Sequence, residues 1–334
     1  MENSSVFRID RVINQDGKYS YHITWPNIPI AKKAYYMMVK WARDSRDYSV
    51  MNHDTLSKTR LEIASQCKCP ITVDQIRSIR SAVVKEKIMF GYKRMNELME
   101  DISAKYSNNG ILELAVKYDF PPLNLLRGIF LHRNIDKKIV HKLFSEKLPV
   151  SNEGNESEML SDRDLKQYQL AAENDAESTF NQQLVDKIAA ENENVVVNYF
   201  KSLGIGVVTQ EQLVKEQMEE HGRAILTPDI LFTDDVYING AKITWIDYKD
   251  YAGTLIKFLR TSNIAQAQKY YNKWGQGALC FHQSFIEDMV IPGAMLLDAR
   301  TLPVKLKLFP QIYSNNGSRG QKKKGEKNKS IIDG

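Results

Sequence analysis

Three charged residues stand at the ends of two apolar stretches, in an order that favours metal-dependent chemistry. Asp229 begins one stretch, and Asp247 and Lys249 end the next. Successive side chains of a strand alternate between its two faces, so Asp247 and Lys249 are predicted to point the same way. Charges on a buried strand face destabilise a fold unless they are paired or bind a metal. We therefore predict a site built from these three residues; the alternative is a surface strand with an incidental salt bridge.

Hydrolysis of a phosphodiester bond is the chemistry that these residue types favour. The reaction needs a reactive water and a cation that neutralises charge on the phosphate, and Mg²⁺ held by carboxylates supplies both. Asp229 and Asp247 are the predicted Mg²⁺ ligands, with Mn²⁺ as a substitute metal and the main-chain carbonyl of Tyr248 as a further ligand. Lys249 is predicted to orient or activate the water without binding the metal.

A glutamate from the helix before these strands is a candidate for the third carboxylate. Glu193 shares one helix face with Val196 and Phe200, which places it on the apolar stripe of that helix. We rank Glu193 first, followed by Glu191 and Glu177. At each of these positions, a solvated glutamate without a catalytic role is the alternative.

The helix after these strands carries two further candidates. Gln266 is placed to reach the site or the scissile phosphate, and Lys273 is placed to contact the DNA backbone. Tyr270 and Trp274 on the same helix are predicted to be core residues.

The elements that must position these residues are predicted to form a mixed sheet with helices between its strands, which is an α/β fold. Strand patterns occur in six segments, at residues 205–208, 229–232, 242–249, 278–282, 295–298 and 304–308. Helical patterns occur in three segments, at residues 165–203, 210–220 and 264–274. Asn239 and Gly240 form a predicted turn between the second and third of the strands.

The front half of the chain is predicted to be helical after an N-terminal hairpin. Residues 6–13 and 19–25 alternate between polar and apolar types on either side of the turn pair Asp16-Gly17. Helical spacing follows in three segments, at residues 31–43, 55–64 and 73–100.

Residues 110–133 have the internal order of a helix-turn-helix. An amphipathic helix ends at a short turn (119–121), and a second helix begins at Pro122, a favoured residue for a first helical position. The predicted DNA-facing residues of the second helix are Asn124, Arg127 and His132. Residues 55–84 are a candidate for another such unit. The alternative is an ordinary three-helix packing module that binds no nucleic acid.

Composition divides the chain into five segments. They are an N-terminal extension with a hairpin and a helix (1–50), a helical helix-turn-helix domain (51–148), an acidic linker (149–165), the candidate catalytic domain (166–312) and a disordered basic tail (313–334). The net charge is +9 over residues 1–147, −8 over 148–317 and +4 over 318–334, which together give +5. A basic front and tail suit contact with phosphate, and an acidic body suits a metal site. The alternative explanation of this charge asymmetry is chance, with the charges on solvated surface.

Length and composition are typical of a soluble, intracellular protein. The chain has 334 residues, 43% of them hydrophobic, and three cysteines that show no disulfide framework, which fits a reducing compartment. We expect no association with membranes, because no apolar run is long enough for a membrane helix and the N-terminus lacks the order of a signal peptide. A P-loop, a dinucleotide fingerprint, a Gly-x-Ser-x-Gly motif and zinc-ligand spacing are all absent, which argues against those chemistries.

The chemistry-bearing region resembles the codanin-interacting nuclease family. The segments that carry the resemblance are Thr227-Pro-Asp229, Trp245-Ile-Asp247-Tyr-Lys249 and Gln266-x-x-x-Tyr270-x-Asn272-x-x-Gly275-x-Gly277. The resemblance is strongest over residues 191–300, and residues 110–133 are similar to the N-terminal portion of that family. Asp247 departs from the family pattern, in which we expect glutamate, and a shorter ligand would shift the metal. The first fifty residues and the basic tail have no counterpart.

This resemblance implies a PD-(D/E)XK enzyme of the Holliday-junction-resolvase-like group. The implied fold is a restriction-endonuclease-like mixed sheet flanked by helices and preceded by an all-α helix-turn-helix domain. The implied activity is Mg²⁺-dependent endonuclease cleavage of DNA, with branched DNA among the candidate substrates. The family also carries a Glu-x-Glu pair where this chain has Glu191 and Glu193, which favours these two residues over Glu177.

The resemblance also implies a cellular setting for the protein. It implies a location in the nucleus and also in the cytoplasm, and a codanin-like protein as a partner. A homodimer is expected if two strands of a junction are cut. The alternative function is a catalytically inactive scaffold that keeps the nuclease fold in order to bind DNA or a protein partner.

Overall fold

The structure, a computed structural model, describes residues 6–15, 17–145 and 160–308. Asp16 of the predicted hairpin turn, residues 149–159 of the predicted linker and the predicted basic tail (313–334) lie outside the described residues. The described part of the chain folds into a mixed sheet of seven strands with helices on both faces. This confirms the predicted α/β class. None of the helices in the described ranges is long and apolar enough to cross a membrane.

Every element of the sheet half overlaps a predicted segment, but several bounds differ from the prediction. The strands are β1 (Arg8–Ile13), β2 (Tyr19–Thr24), β3 (Val207–Thr209), β4 (Ile230–Ile238), β5 (Ala241–Lys249), β6 (Gly277–Phe281) and β7 (Ala294–Asp298). The helices are α1 (Lys32–Asp44), α2 (His53–Cys67), α3 (Val73–Glu97), α4 (Met99–Tyr106), α5 (Ile111–Tyr118), α6 (Pro122–His132), α7 (Lys137–Ser145), α8 (Asp162–Asn174), α9 (Thr179–Ser202), α10 (Gln210–His221) and α11 (Lys257–Trp274). The predicted bounds of β5, β6, β7 and α10 are confirmed to within one residue. β4 ends six residues later than predicted, α11 begins seven residues earlier, and β3 is shifted toward the C-terminus. The strand predicted at residues 304–308 is wrong, because that segment joins no ladder.

The sheet places β5 at its centre. The strand order is β1-β2-β4-β5-β6-β7, with β3 also paired to β4. β4 and β5 form an antiparallel hairpin, whereas β5, β6 and β7 are parallel to one another. β3 pairs with the first half of β4 and β2 with its second half, on either side of a bulge between Leu231 and Val236. The C-terminal end of β5, which carries Asp247 and Lys249, pairs with β6 and extends past the last β4 pair, that of Ile230 with Ile246.

The N-terminal hairpin is confirmed and belongs to this same sheet. β1 and β2 pair in antiparallel register. β2 then pairs in parallel with β4, from Ser20 opposite Asp235 to Ile23 opposite Ile238. The hairpin of the predicted N-terminal extension is thus an edge of the sheet that carries the candidate site, because pairing with β4 satisfies the backbone groups of β2.

Helices cover both faces of the sheet. On one face, α1, α2, α3 and α11 pack against a cluster that contains Trp245, Leu279 and Phe281. On the other face, α9 packs Val196 and Phe200 against the sheet. The helices of the front half from α1 to α3 therefore stabilise the sheet directly, by burying apolar surface that the sheet would otherwise expose.

The helices from α4 to α8 form a third core. Four residues of α6 at its centre are completely buried, namely Leu125, Leu126, Ile129 and Phe130. α8 belongs to this core, because Tyr168 packs there and its hydroxyl donates to Leu143 O at 2.6 Å. α8 begins at Asp162 with a capping box between Ser161 and Asp164, so the last residues of the predicted linker are helical. The helices predicted at residues 111–118 and from Pro122 are confirmed, and their identity as a DNA-binding helix-turn-helix stays a prediction.

The single helix predicted at residues 165–203 is wrong. The chain forms two helices there, separated by Asp175 to Ser178. Ser178 caps α9 by accepting a hydrogen bond from Asn181 N at 3.2 Å. The buried carboxylate of Asp175 accepts hydrogen bonds from Leu123 N and Glu177 N. These polar contacts stabilise the interruption between the two helices. Apolar spacing alone does not predict this interruption.

The turn between β4 and β5 gives a testable stability prediction. Asn239 has φ 50° and Gly240 has φ 84°, the left-handed pair that a tight hairpin requires. Gly240→Ala is expected to destabilise the protein by about 1 kcal/mol, because a side chain disfavours this conformation. Gly240→Asn is the matched control and should destabilise the protein less than Gly240→Ala does, since asparagine tolerates positive φ. Urea denaturation measures both; equal stability of the alanine variant and wild type would contradict the prediction.

Candidate active site

Asp247 and Lys249 form a buried ion pair at the end of β5. They lie in register with Leu279 and Phe281 of β6, which belong to the core beneath α11. Their side chains therefore face α11, on the same side of the strand, as the alternation predicts. The Asp247 side chain is 4% exposed and that of Lys249 is 14% exposed. A surface strand with an incidental salt bridge is excluded by this burial.

Asp229 lies just before β4 and joins the two strands. One carboxylate oxygen accepts a hydrogen bond from Tyr248 N at 2.6 Å. The other accepts from Gln210 Nε2 at 3.2 Å. Gln210 begins α10, and the sequence analysis missed it, because nothing in its spacing connects it to Asp229. The contact with the backbone of Tyr248 fixes Asp229 directly beside the Asp247 position.

Gln266 of α11 contacts both members of the ion pair. Its side-chain oxygen accepts a hydrogen bond from Lys249 Nζ at 2.8 Å, and its Nε2 donates to Asp247 Oδ1 at 3.3 Å. The same nitrogen lies 3.1 Å from the Tyr270 hydroxyl. Gln266 therefore holds the lysine in one orientation toward the carboxylate.

The structure separates the three candidate glutamates. Glu193 is half-buried in α9, and the charges of Asp247 and Lys249 act on its pKa. Glu191 instead pairs with Lys307, with Nζ 2.6 Å from its carboxylate. Glu177 pairs with Lys85 at 3.4 Å. Of the three, Glu193 is the one whose charge is coupled to the site residues.

Burial and mutual repulsion raise the pKa of the site carboxyls. Burial, together with the charges of Asp247 and Glu193, raises the pKa of Asp229 to about 8. Burial also raises the pKa of Asp247, although the Lys249 ammonium opposes the effect, and it raises the pKa of Glu193. Burial lowers the pKa of Lys249, but the Asp247 carboxylate more than offsets this, so that pKa lies above its usual value. The site has more carboxyl groups than positive charges. A bound divalent cation would stabilise the ionised form of these carboxyl groups.

The donor set fits a hard cation that keeps some of its water. Asp247 Oδ2 lies against the Lys249 ammonium, and Asp229 and Glu193 supply further carboxylate oxygen nearby. Within the described ranges, no three acidic, histidine or cysteine side chains converge closely enough to hold a metal by themselves. Mg²⁺ is commonly held by one or two carboxylates, with water and substrate phosphate as its other ligands. Asp229, Asp247 and the Tyr248 carbonyl are the residues that would hold it here.

A second buried polar cluster, which the sequence does not predict, contains Tyr248 and Asp250, the residues on either side of Lys249. His282 Nδ1 is 2.7 Å from Asp250 Oδ1, and the Tyr248 hydroxyl donates to the same oxygen at 3.2 Å. Asn192 precedes Glu193 in α9, and its side-chain nitrogen lies 3.5 Å from Asp250 Oδ1 and from His282 Nδ1. The cluster therefore links α9, β5 and the end of β6.

The predicted nucleic-acid contacts lie away from this centre. Arg127 and His132 are exposed on α6, beside a cleft of about 500 Å³. Asn124 is partly buried, and its Oδ1 accepts a hydrogen bond from the Tyr92 hydroxyl at 2.7 Å. Lys273 is exposed at the end of α11, over the Trp274 ring. Arg127 and Lys273 are thus free to approach a phosphate backbone, whereas the oxygen of Asn124 is already engaged.

Comparisons with known proteins identify relatives without an assigned activity. A family model described as a protein of unknown function with a TPD sequence motif matches residues 160–300, the part that holds the candidate catalytic and metal-binding residues. Thr227, Pro228 and Asp229 in that range have the letters of this motif. An uncharacterized protein of Acanthamoeba polyphaga mimivirus is 32% identical over 105 residues, which are 30% of this chain and 36% of the viral protein. The chain thus matches about a third of the length of that relative. No solved structure matches the chain.

Proposed function

We propose that the protein is a Mg²⁺-dependent endonuclease that hydrolyses phosphodiester bonds in DNA. The observation that carries the proposal is the buried contact of Asp247, Lys249 and Gln266 at the end of the central strand, with Asp229 bound to the backbone beside it. Burial of a lysine beside two acids is costly, because each charge loses its hydration, and a bound cation would offset the excess of negative charge. Mn²⁺ would substitute for Mg²⁺ in this site.

Each side chain of the site would have its own role in the reaction. A bound cation would supply a reactive water and neutralise charge on the phosphate. Asp229 and Asp247 would hold it, and Glu193 would add a third negative charge at the edge of the site. The Asp247 carboxylate raises the pKa of Lys249, so the protonated lysine would orient the water and offset charge that develops on the phosphate. Gln266 would act as a positioning residue, because it holds the lysine amine.

The same residues support a restriction-endonuclease-like fold as the finer description. In this proposal, the β4–β5 hairpin supplies the acids and the lysine, α9 supplies Glu193, and α11 supplies Gln266. A preference for branched DNA, a homodimer, a codanin-like partner and a location in the nucleus and cytoplasm are further proposals that rest on the family resemblance.

The α4–α8 core is the proposed DNA-binding module, because its α6 exposes Arg127. Arg127→Ala is expected to weaken DNA affinity by several-fold and to make affinity less dependent on salt, since one phosphate contact is lost. Lys201→Ala, an exposed cation at the end of α9, is the matched control. Fluorescence anisotropy at two salt concentrations measures the effect. An unchanged affinity and salt slope for Arg127→Ala would favour an ordinary packing module.

The proposed activity is tested with purified full-length protein and a panel of nucleic acids. The panel contains linear duplex, single strand, flap, four-way junction and an RNA of the same sequence. Cleavage of at least one DNA in Mg²⁺ or Mn²⁺, and none in EDTA, is the expected result. Absence of cleavage across the panel would overturn the proposal.

A catalytically inactive scaffold is the second candidate function. It is favoured by the Lys249 ammonium, which already neutralises Asp247 without a cation. A scaffold predicts no binding of Mn²⁺ by calorimetry, together with DNA binding that is unchanged in Asp247→Asn. The nuclease proposal predicts Mn²⁺ binding that the same substitution removes.

A further inference from the structure

The polar cluster around Asp250 lies in the interior of the protein, beside the residues of the candidate active site. Asn192 is completely buried and His282 is 2% exposed. Asp250 Oδ1 is the centre of the cluster, because it accepts a hydrogen bond from the Tyr248 hydroxyl at 3.2 Å and lies 2.7 Å from His282 Nδ1. A carboxylate can only accept, so the imidazole of His282 is the donor in the second contact.

The pairing of β5 with β6 does not depend on this cluster. The main chains of the two strands pair from Ile246 to Lys249, and His282 N continues the pattern by donating to Lys249 O at 2.8 Å. Tyr248 packs in an apolar core. In such a core, apolar side chains of similar volume often stabilise a fold as well as a buried polar pair does. A role in orienting neighbouring groups explains the cluster better than a role in stability.

Tyr248 connects the cluster to the candidate metal site through its main chain. Its N–H donates to Asp229 at 2.6 Å, and its carbonyl is the proposed main-chain ligand. Its ring packs on the face of the sheet opposite to Asp247 and Lys249, and Asp250 holds its hydroxyl. A ring that is anchored at its far end restricts the rotation of the backbone that carries it. The cluster therefore orients both peptide groups of Tyr248.

Asn192 connects the same cluster to Glu193, the next residue of α9. Its side-chain nitrogen lies 3.5 Å from Asp250 Oδ1 and from His282 Nδ1. The same side chain also binds the main chain of Lys307, by accepting from its N–H at 2.7 Å and donating to its carbonyl at 2.9 Å. These contacts fix α9 against the ends of β5 and β6 at the helical turn that carries Glu193.

We propose that His282 is a positioning residue for the metal site. It contacts neither the cation nor the substrate, and acts through Asp250 and the Tyr248 hydroxyl. Loss of its ring would free the main chain of Tyr248, and with it the carboxylate of Asp229. Removal of such outer partners typically weakens metal affinity by about 10-fold to 100-fold. This inference rests on the proposed function and assigns the residues that orient its metal ligands.

The test measures Mn²⁺ binding to the full chain by calorimetry without DNA, so the result does not depend on cleavage. His282→Leu is expected to weaken Mn²⁺ affinity by about 10-fold to 100-fold. Tyr248→Phe, which removes one hydroxyl, should weaken it by a smaller factor. His282→Asn keeps a nitrogen donor near the position of Nδ1 and should retain more affinity than His282→Leu.

Tyr21→Phe is the matched control for Tyr248→Phe. Tyr21 is a buried tyrosine of the same apolar core, and its hydroxyl donates to Gly204 O at 2.8 Å. Its loss removes one buried hydroxyl contact at a distant strand, so Mn²⁺ affinity should stay within a factor of about two.

A double variant separates orientation from stability. Asp250→Leu combined with His282→Leu replaces the buried polar pair with apolar side chains, a change that is often neutral or stabilising. The double variant is expected to unfold at a urea concentration close to that of wild type, yet to bind Mn²⁺ as weakly as His282→Leu does. Loss of stability in the double variant, together with unchanged Mn²⁺ affinity in Tyr248→Phe, would assign the cluster a purely structural role.

The outcomes separate this inference from the proposed function. Unchanged Mn²⁺ affinity in folded His282→Leu and Tyr248→Phe would overturn the positioning role and leave the proposed function intact. Weaker binding in both variants, in a protein that cleaves no DNA, would support the positioning role while the nuclease proposal fails. Absence of Mn²⁺ binding by wild type would overturn both, since no metal site would then exist.

Discussion

Lys249→Met is expected to lower the rate of DNA cleavage by about 100-fold to 10,000-fold, the range typical of a residue that orients water or stabilises charge in the transition state. Methionine keeps the length of the side chain but removes the ammonium that contacts Asp247 and Gln266. Single-turnover cleavage at saturating protein measures the effect, because it separates the chemical step from DNA binding. DNA affinity should change little, since the Lys249 side chain is only 14% exposed.

Lys242→Met is the matched control for this substitution. Lys242 lies on the same strand and also pairs with an aspartate, Asp235, but both side chains are about half exposed. Its loss should leave the cleavage rate within a factor of two or so, because exposed pairs contribute little. Lys249→Met leaves Asp247 buried without its partner, so thermal unfolding must show that the variant is folded. Lys249→Gln keeps a hydrogen-bonding group there and must also lose cleavage. Normal cleavage by either variant would contradict the assigned role.

Asp229→Asn is expected to stabilise the metal-free protein and to remove its response to divalent cations. The pKa of Asp229 is raised to about 8 in the native state, from an ordinary value of 3.8. A carboxyl with a raised native pKa contributes stability that is fully present below pH 3.8 and is lost as pH rises to about 8. Asparagine does not titrate, and its oxygen can still accept the hydrogen bond from Tyr248 N, while its amide nitrogen cannot accept the one from Gln210 Nε2. The free energy of unfolding of the variant should therefore exceed that of wild type increasingly as pH rises through this window, by on the order of 3 kcal/mol at the alkaline end.

Urea denaturation in EDTA at pH 4, 6 and 8 measures this difference. Asp235→Asn, an exposed aspartate on β4, is the control and should show a difference within about 0.5 kcal/mol at every pH. Adding Mn²⁺ at a hundred times its dissociation constant should stabilise wild type by about 2.7 kcal/mol but leave Asp229→Asn unchanged. A variant that is less stable than wild type at pH 8, or that still responds to Mn²⁺, would contradict the proposed metal site.

The local features of the site could be predicted from the sequence because they depend on short-range periodicity. The alternation of a strand places Asp247 and Lys249 on one face, and the 3.6-residue repeat of a helix separates Glu193 from Glu191. The Asn239-Gly240 turn fixes the hairpin that brings Asp229 next to β5. These rules need only a few consecutive residues, so one sequence is enough to apply them.

The long-range features could not be predicted in the same way. The parallel pairing of β2 with β4 joins residues more than two hundred positions apart, and apolar alternation does not specify a partner strand. The contact of Gln210 with Asp229 depends on where α10 docks. The contact of Asn192 with His282 depends on where α9 docks. The boundary between α8 and α9 could not be predicted for a different reason, since a polar cap, Ser178, and not apolar spacing defines it.

The central claim is that Asp247, with Asp229 and Lys249, forms a metal-dependent centre for cleaving DNA. The most direct test is single-turnover cleavage of an end-labelled gapped or branched DNA by wild type and by Asp247→Asn, each in Mg²⁺, in Mn²⁺ and in EDTA. Wild type is predicted to cut in either metal and not in EDTA, and Asp247→Asn, still folded and still bound to DNA, is predicted to cut at least about 100-fold more slowly. Cleavage by Asp247→Asn at the wild-type rate, or no cleavage by wild type in either metal, would contradict the claim.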